Sequence, residues 1–214
     1  MVGKRLHVVE LYAGTARSIE PFRSWRGCRV SLLIDHDPYA AETYFSNYRR
    51  APYEVDDLAP MRPDRLAALA GGRVDILLGC PPCQGFSENG HRRPRDPRNR
   101  HLGHFARLAE TLRPMAVAME NVPFAGRTYQ FRNLIHKLKR AGYKCTSGIV
   151  NAALRGSPQS RQRLVFIGIR SDIGAIPILP PPGLTHHNSE SGLAGKPCLL
   201  VKSKLLDHIL ATFR

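Results

Sequence analysis

Long apolar runs are missing from this 214-residue sequence, and no window approaches the roughly 20 residues that a membrane span needs. The basic start, MVGKRLHVVELY, holds too short an apolar stretch for a signal peptide, so no membrane partner is expected. Acidic residues are scarce, 17 Asp plus Glu against 32 Lys plus Arg, which leaves a net charge of +15. A chain so basic takes a polyanion as its natural partner, and nucleic acid is the commonest one. Cysteines number five, an odd count without regular spacing, which argues against a secreted disulfide framework and for reduced thiols in the cytoplasm. No internal repeat is present, and the length suits one well-formed core but not two full domains.

Within that frame the most informative stretch is Val74 to Ser87, VDILLGCPPCQGFS. Val74, Ile76, Leu77 and Leu78 read as a short buried strand, broken by Gly79 and two prolines, of the kind found in parallel sheets. Open parallel sheets bind ligands beyond the carboxyl ends of their strands, which places Cys83 in the crevice. Pro81 and Pro82 fix φ and remove backbone donors just ahead of the sulfur, an arrangement suited to a nucleophile. Rival readings are a redox pair, Cys80 with Cys83, and half of a zinc site, although Cys28, Cys145 and Cys198 offer no second pair with ligand spacing. Cys80 also suits a buried structural thiol.

Ahead of this stretch, Leu6 to Tyr12 reads as a strand, followed by the small-residue turn Ala13-Gly14-Thr15-Ala16 and a helix capped by Ser18 with Pro21 in its first turn. Small residues let backbone approach a ligand, and a helix start presents free N–H groups. Arg29 to Ile34 is a second strand ending at Asp35, an acid about 20 residues past the turn, where it can accept ribose hydroxyls. Asp37-Pro38 begins a helix to about Asn47 with Ala41, Tyr44 and Phe45 inward, and a short helix from Pro63 to Ala70 closes on Gly71-Gly72. Downstream, Leu102 to Leu112 is amphipathic, Met115 to Met119 is a buried strand ending in Glu120-Asn121-Val122-Pro123, and Phe131 to Ala141 is a helix with Gly142 as its cap. Lys144 to Ala152 and Leu164 to Ile169 complete the strands. The alternation of strand and helix predicts an α/β fold with a doubly wound, mostly parallel sheet. From Asp172 the pattern gives way to a proline-rich linker, so the expected division is a catalytic domain over 1–170 and an extension over 171–214, with a modest helix from Pro197 to Arg214. Adjacent His186 and His187 lack further ligands and read as a solvated turn, so no metal is expected.

GCPPCQGFS resembles the nucleophile motif of the cytosine carbon-5 DNA methyltransferases over nine contiguous residues, and ELYAGTARS, ENV and GSPQSRQR follow the family's other motifs in order. The resemblance covers about Leu6 to Arg170 and implies a Rossmann-like sheet of the S-adenosylmethionine-dependent type with a final antiparallel strand. It implies DNA methylation of the restriction-modification kind: Cys83 adds to cytosine carbon 6, Glu120 holds the ring, Arg163 bonds the carbonyl oxygen at carbon 2, and Arg161 supports the same pocket. For S-adenosylmethionine it implies Tyr12, Ala13, Gly14, Thr15, Asp35, His36, Asp57 and Pro82, with Asp56 as well placed as Asp57 by sequence. Ala16 and Arg17 stand where the family usually has further glycines. A mobile catalytic loop is implied, with Ser87, Arg92, Arg93, Arg95, Arg98 and Arg100 as contacts to DNA. Association with the nucleoid through DNA follows. The family's target-recognition region has no counterpart in the remaining 44 residues, which predicts a second polypeptide carrying it, or else a truncated, non-catalytic copy. RNA is the subordinate alternative substrate.

Overall fold

The computed structural model describes residues 5–48, 51–85, 96–155 and 158–179. Its centre is a seven-stranded sheet built from β1 (Leu6–Leu11), β2 (Cys28–Asp35), β3 (Tyr53–Val55), β4 (Ile76–Gly79), β5 (Ala116–Asn121), β6 (Tyr143–Asn151) and β7 (Gln162–Arg170). The strand order is β3-β2-β1-β4-β5-β7-β6. All neighbours from β3 to β5 are parallel, whereas β7 runs antiparallel to both β5 and β6. Apart from the expected mixed architecture, this order has a functional consequence. The chain leaves β1 in one direction toward β2 and β3, then returns to build β4 on its other side, so a switch point lies between β1 and β4.

Central strands form where the apolar runs are continuous, because both faces are covered. Val8, Val9, Leu11, Leu33, Ile34, Ile76 and Leu77 are fully buried. One face packs on α3 (Pro63–Leu69), α4 (His101–Leu112) and α5 (Tyr129–Arg140), which send in Leu66, Phe105, Leu108, Leu134 and Leu138. The other face receives Ile19, Phe22 and Tyr44 from α1 (Glu20–Ser24), the turn before it and α2 (Pro38–Asn47). Asp37 caps α2 through the Tyr39 amide, as its position before Pro38 implies. Gly142, at φ 86°, follows the last turn of α5 in the left-handed conformation that glycine accepts most readily.

Several local expectations need correction. Ser18 caps no helix: it lies in a 3-10 turn, Arg17–Ile19, and its buried hydroxyl donates to Glu10 Oε1, while α1 begins only at Glu20. The polar partner on β1, the strand just before, outcompetes the local cap. Phe45 is 46% exposed rather than inward, since Ala40, Ala41 and Tyr44 form the buried face of α2. α5 starts at Tyr129, two residues early, because the Thr128 side chain caps it through the Phe131 amide. Beyond β7, a 3-10 turn at Ser171–Ile173 follows, and Ile173, Ala175 and Leu179 pack against the core. The modest helix expected over 197–214 lies outside the described residues.

Candidate active site

The carboxyl ends of β1, β2, β4 and β5 lie along one edge of the sheet, and hydrogen bonds stitch their turns together. On the β1 side, Tyr12 takes φ 57° and Gly14 φ 51°, and the Ala16 amide donates to the Ala13 carbonyl at 2.8 Å. The Gly14 amide donates to Asp35 Oδ2 at 2.7 Å, the Ala13 amide to the Ile34 carbonyl at 3.0 Å, and the Tyr53 hydroxyl to the Gly14 carbonyl at 2.8 Å. The turn is therefore fixed from β2 and from β3, a three-residue strand that the sequence pattern did not reveal. Ala16 in the same turn adopts φ 56°, ψ 35°. That left-handed conformation costs an alanine about 1–2 kcal/mol, partly offset by burial of its methyl group, worth about 0.8 kcal/mol.

The acids expected at this side are brought together. Asp35 Oδ1 lies 3.0 Å from His36 Nδ1 and also accepts the Asp37 amide at 3.1 Å, so the carboxylate is oriented at its strand end. Asp56 and Asp57, equivalent by sequence, separate in space. Asp56 pairs with Arg65 at 2.7 Å, whereas Asp57 acts electrostatically on Tyr12, His101 and His104. The Tyr12 phenol is pushed well above its ordinary range, first by burial and then by Asp57. Its hydroxyl reaches the His101 carbonyl at 3.3 Å, and the two rings meet edge to face at 5.4 Å. His101 was not anticipated, since a histidine at a helix start carries no signal of its own.

The second half of the site lies beyond β4 and β5. Gly79 fits where no side chain does without a shift, because a Cβ there would sit 2.5 Å from Cε2 of Phe105 on α4. The Cys80 amide donates to the Leu11 carbonyl at 3.3 Å, which fastens the turn to β1. Asn121, 2% exposed at the end of β5, donates through Nδ2 to the Pro81 carbonyl at 3.2 Å and accepts the Val122 amide at 2.8 Å. This side chain joins the two motif segments, and it was not among the residues expected to matter. Cys80 and Cys83 are both half-buried thiols, with no disulfide between them. Among the described residues no three His, Cys, Asp or Glu side chains gather as a metal site.

Glu120 and Arg163 meet directly, Nε to Oε1 at 2.7 Å, with about a fifth of each side chain exposed. Antiparallel pairing of β5 and β7 sets Glu120 opposite Val165, and so brings the start of β7 to the carboxyl edge. Arg163, expected to bond a base oxygen, is thus paired with the carboxylate. Arg161 is exposed, its amide fixed by Asn151 Oδ1 at 3.1 Å. Arg98, exposed, forms two bonds to Asp96 at 2.7 and 2.9 Å. The pairing with Asp96, and in smaller part the nearby Cys83, holds its guanidinium above the ordinary value. Gly85 packs so tightly on the 3-10 turn Pro97–Arg100 that a Cβ would meet Asn99 Oδ1. Arg100 is exposed, while Ser87, Arg92, Arg93 and Arg95 lie outside the described residues. Pro82 is half-buried beside Cys83, and Thr15 half-buried beside Gly14.

The profile of the C-5 cytosine-specific DNA methylase family matches residues 6–194. The type II methyltransferase M.DdeI of Desulfomicrobium norvegicum is 34% identical over 173 residues, covering 78% of this chain and 41% of that protein. M1.HphI of Haemophilus parahaemolyticus is 32% identical over 197 residues, covering 85% of this chain and 52% of its own length. This chain therefore spans about half the length of such relatives. Among solved structures, a DNA modification methyltransferase encoded within an E. coli prophage superposes with a TM-score of 0.72 at 24% identity, over 90% of this chain and 55% of that one. The S. pombe Dnmt2 methyltransferase gives 0.65 at 22% identity, over 78% of this chain and 50% of that one.

Proposed function

The chain belongs to the C-5 cytosine-specific DNA methylase family, and on that premise we propose that it carries the catalytic half of a DNA cytosine carbon-5 methyltransferase. The observation that supports this most is the joining of the Cys83 turn to the Glu120–Arg163 pair through Asn121, at one edge of the sheet.

Cytosine carbon 5 is too weak a nucleophile to be methylated directly. In this reading the Cys83 thiolate adds to carbon 6, forming a C–S bond and moving the displaced electron pair toward carbon 5 and ring nitrogen 3. Glu120 holds nitrogen 3 and the exocyclic amine, and supplies a proton there as negative charge builds in the ring. Arg163 keeps the Glu120 carboxyl in position from the far side, leaving Arg161 as the exposed cation on the same edge. S-adenosylmethionine, when bound, supplies the methyl group. The carbon-5 proton then passes to water, the electron pair re-forms the carbon 5–carbon 6 double bond and breaks the C–S bond, which returns Cys83 to its thiolate, and the nitrogen-3 proton goes back to Glu120. A stacked base is out of reach of these groups, so the target has to be flipped out, at a cost of about a few kcal/mol; the net charge of +15 favours the DNA contacts that offset it.

The residues present suit that methyl donor. Open space lies beside Gly14, where an added Cβ would meet nothing within 4 Å, and Asp35 and Asp57 offer carboxylates for ribose hydroxyls and an adenine amine. Tyr12 offers an aromatic wall. Selection of a target sequence is assigned to a part outside these 214 residues, on the same or a second polypeptide, because the chain spans only about half of its relatives. The test is transfer of labelled methyl to cytosine-containing duplexes. Incorporation that vanishes with Cys83→Ser supports the reading, and incorporation unaffected by that change overturns it.

A further inference from the structure

Acidic residues are distributed unevenly along this chain. From Asn121 to Ser171 there is no Asp or Glu, while ten Lys and Arg occur. Some of these cations are used: Arg163 by Glu120 and Arg170 by Asp172. The solvent side of α5 is different. Its buried face is Phe131, Leu134 and Leu138. Arg132, His136, Lys139 and Arg140 are all exposed and recur at the spacing that puts them on one flank of the helix. Lys139 acts on the Cys145 thiol of β6, opposing the burial that pushes it up to about 11, so this flank faces the outer edge of the sheet.

An exposed helix face ordinarily interleaves acids and bases three or four residues apart, because like charges at that spacing repel. Here no acid is present on the helix, and none of Arg132, His136, Lys139 and Arg140 forms an ion pair among the described residues. Cations in the last turn suit the helix dipole, which accounts for Lys139 and Arg140 but not for Arg132 in the first turn. Arg132 is held in place by a bond from its guanidinium to the Arg127 carbonyl at 3.1 Å. Arg127 is itself exposed, in the segment that leaves the Glu120 end of β5. A basic track therefore runs from the candidate active-site edge down the flank of α5, about 12 Å from Arg132 to Arg140 at 1.5 Å per residue.

We propose that this flank is a binding surface for the phosphate backbone of duplex DNA lying beyond the base that enters the crevice. It rests on the reading of the carboxyl edge as the DNA-modifying site. The surface is read by charge alone, so it adds affinity for longer duplexes without selecting sequence.

The experiment compares fluorescent duplexes of 12 and 30 base pairs by anisotropy over a salt series, using the full chain. One variant replaces Arg132, Lys139 and Arg140 together, each by Ala. A control replaces three exposed arginines near the opposite side of the sheet, Arg5, Arg26 and Arg29. Circular dichroism and melting confirm that both fold. The expected result is that wild type binds the longer duplex more tightly and that the α5 variant loses this advantage. Its log–log salt slope should fall by about 2–3, near 0.9 for each phosphate that is no longer neutralised. The control should be clearly less affected. Equal effects in the two variants, or none in the α5 variant, overturn the proposal. If wild type binds with the expected length dependence but transfers no methyl group, the reading of the active site fails while the surface stands.

Discussion

Asn121→Ala should uncouple the two halves of the candidate active site, and the size of the effect follows from the two hydrogen bonds that the side chain makes. It is 2% exposed, and it bonds the buried Pro81 carbonyl and the Val122 amide. Leaving a buried group unsatisfied costs about 1–3 kcal/mol, and removing an ordinary bond at a half-buried amide about 0.5–1.5 kcal/mol. The sum is about 2–4 kcal/mol, a large part of the roughly 5–15 kcal/mol that holds a domain together. At about 2–4 °C per kcal/mol for a chain of this size, the melting temperature should fall by roughly 5–15 °C. The functional effect should be larger and more selective. Pro81 stands two residues before Cys83, and a shift of the turn by about 1 Å is enough to lower turnover by about 100-fold. Binding of S-adenosylmethionine should change little, because Asn121 bonds none of Tyr12, Gly14, Asp35 and Asp57. Asn121→Asp keeps an acceptor for Val122 but sets a carboxylate against the Pro81 carbonyl, so it should be no better. The assay is a melt, a calorimetric cofactor titration and a methyl-transfer rate at a temperature where the variant stays folded. A variant that is less stable yet transfers methyl within about twofold of wild type would refute the coupling role.

Further outcomes follow from the same geometry. Gly79→Ala should cost about 1–3 kcal/mol by overpacking, since the new methyl meets Phe105, and Phe105→Leu in the same chain should recover part of that stability in a melting experiment. Asp57→Asn should weaken S-adenosylmethionine about tenfold or more if a charge-assisted bond is removed, while Asp56→Asn, which disturbs the Arg65 pair, should leave calorimetric affinity nearly unchanged. Burial holds His101 and His104 below the ordinary histidine value, so the unfolded chain takes up protons first as the pH falls. The stability from their neutral forms is present above about pH 6.5 and is lost as the pH drops through their lowered values. His101→Gln should therefore flatten the decline of the melting temperature between about pH 7 and 5, and an unchanged decline would remove His101 from the account.

How far the sequence carries depends on whether the responsible forces are local. Central strands were legible because Val8, Val9 and Leu11, Leu32 to Ile34 and Ile76 to Leu78 are apolar and buried on both sides. The same reasoning placed Cys83 and Glu120 at one edge, since parallel strands put their carboxyl ends together. β3 stayed hidden because Tyr53-Glu54-Val55 has too few residues for a pattern, although Tyr53 supports the Gly14 turn from there. Asp56 and Asp57 could not be separated until Arg65 was seen to take the first. Partners distant in sequence also decided Asn121 and Arg163, whose bonds go to Pro81 and Glu120. No spacing rule reports such bonds, because they depend on which strands become neighbours.

The central claim, that Cys83 is the nucleophile, is tested most directly by trapping its adduct. A duplex carrying 5-fluorocytosine has no proton to lose from carbon 5 after methylation, so the thiol cannot be expelled and the C–S bond persists. Incubation with S-adenosylmethionine, digestion and mass spectrometry should locate the modified base on the peptide containing Cys83, with no adduct formed by Cys83→Ser and an undiminished one by Cys80→Ser. An adduct mapped to Cys80, or methyl transfer retained by Cys83→Ser, would contradict the account.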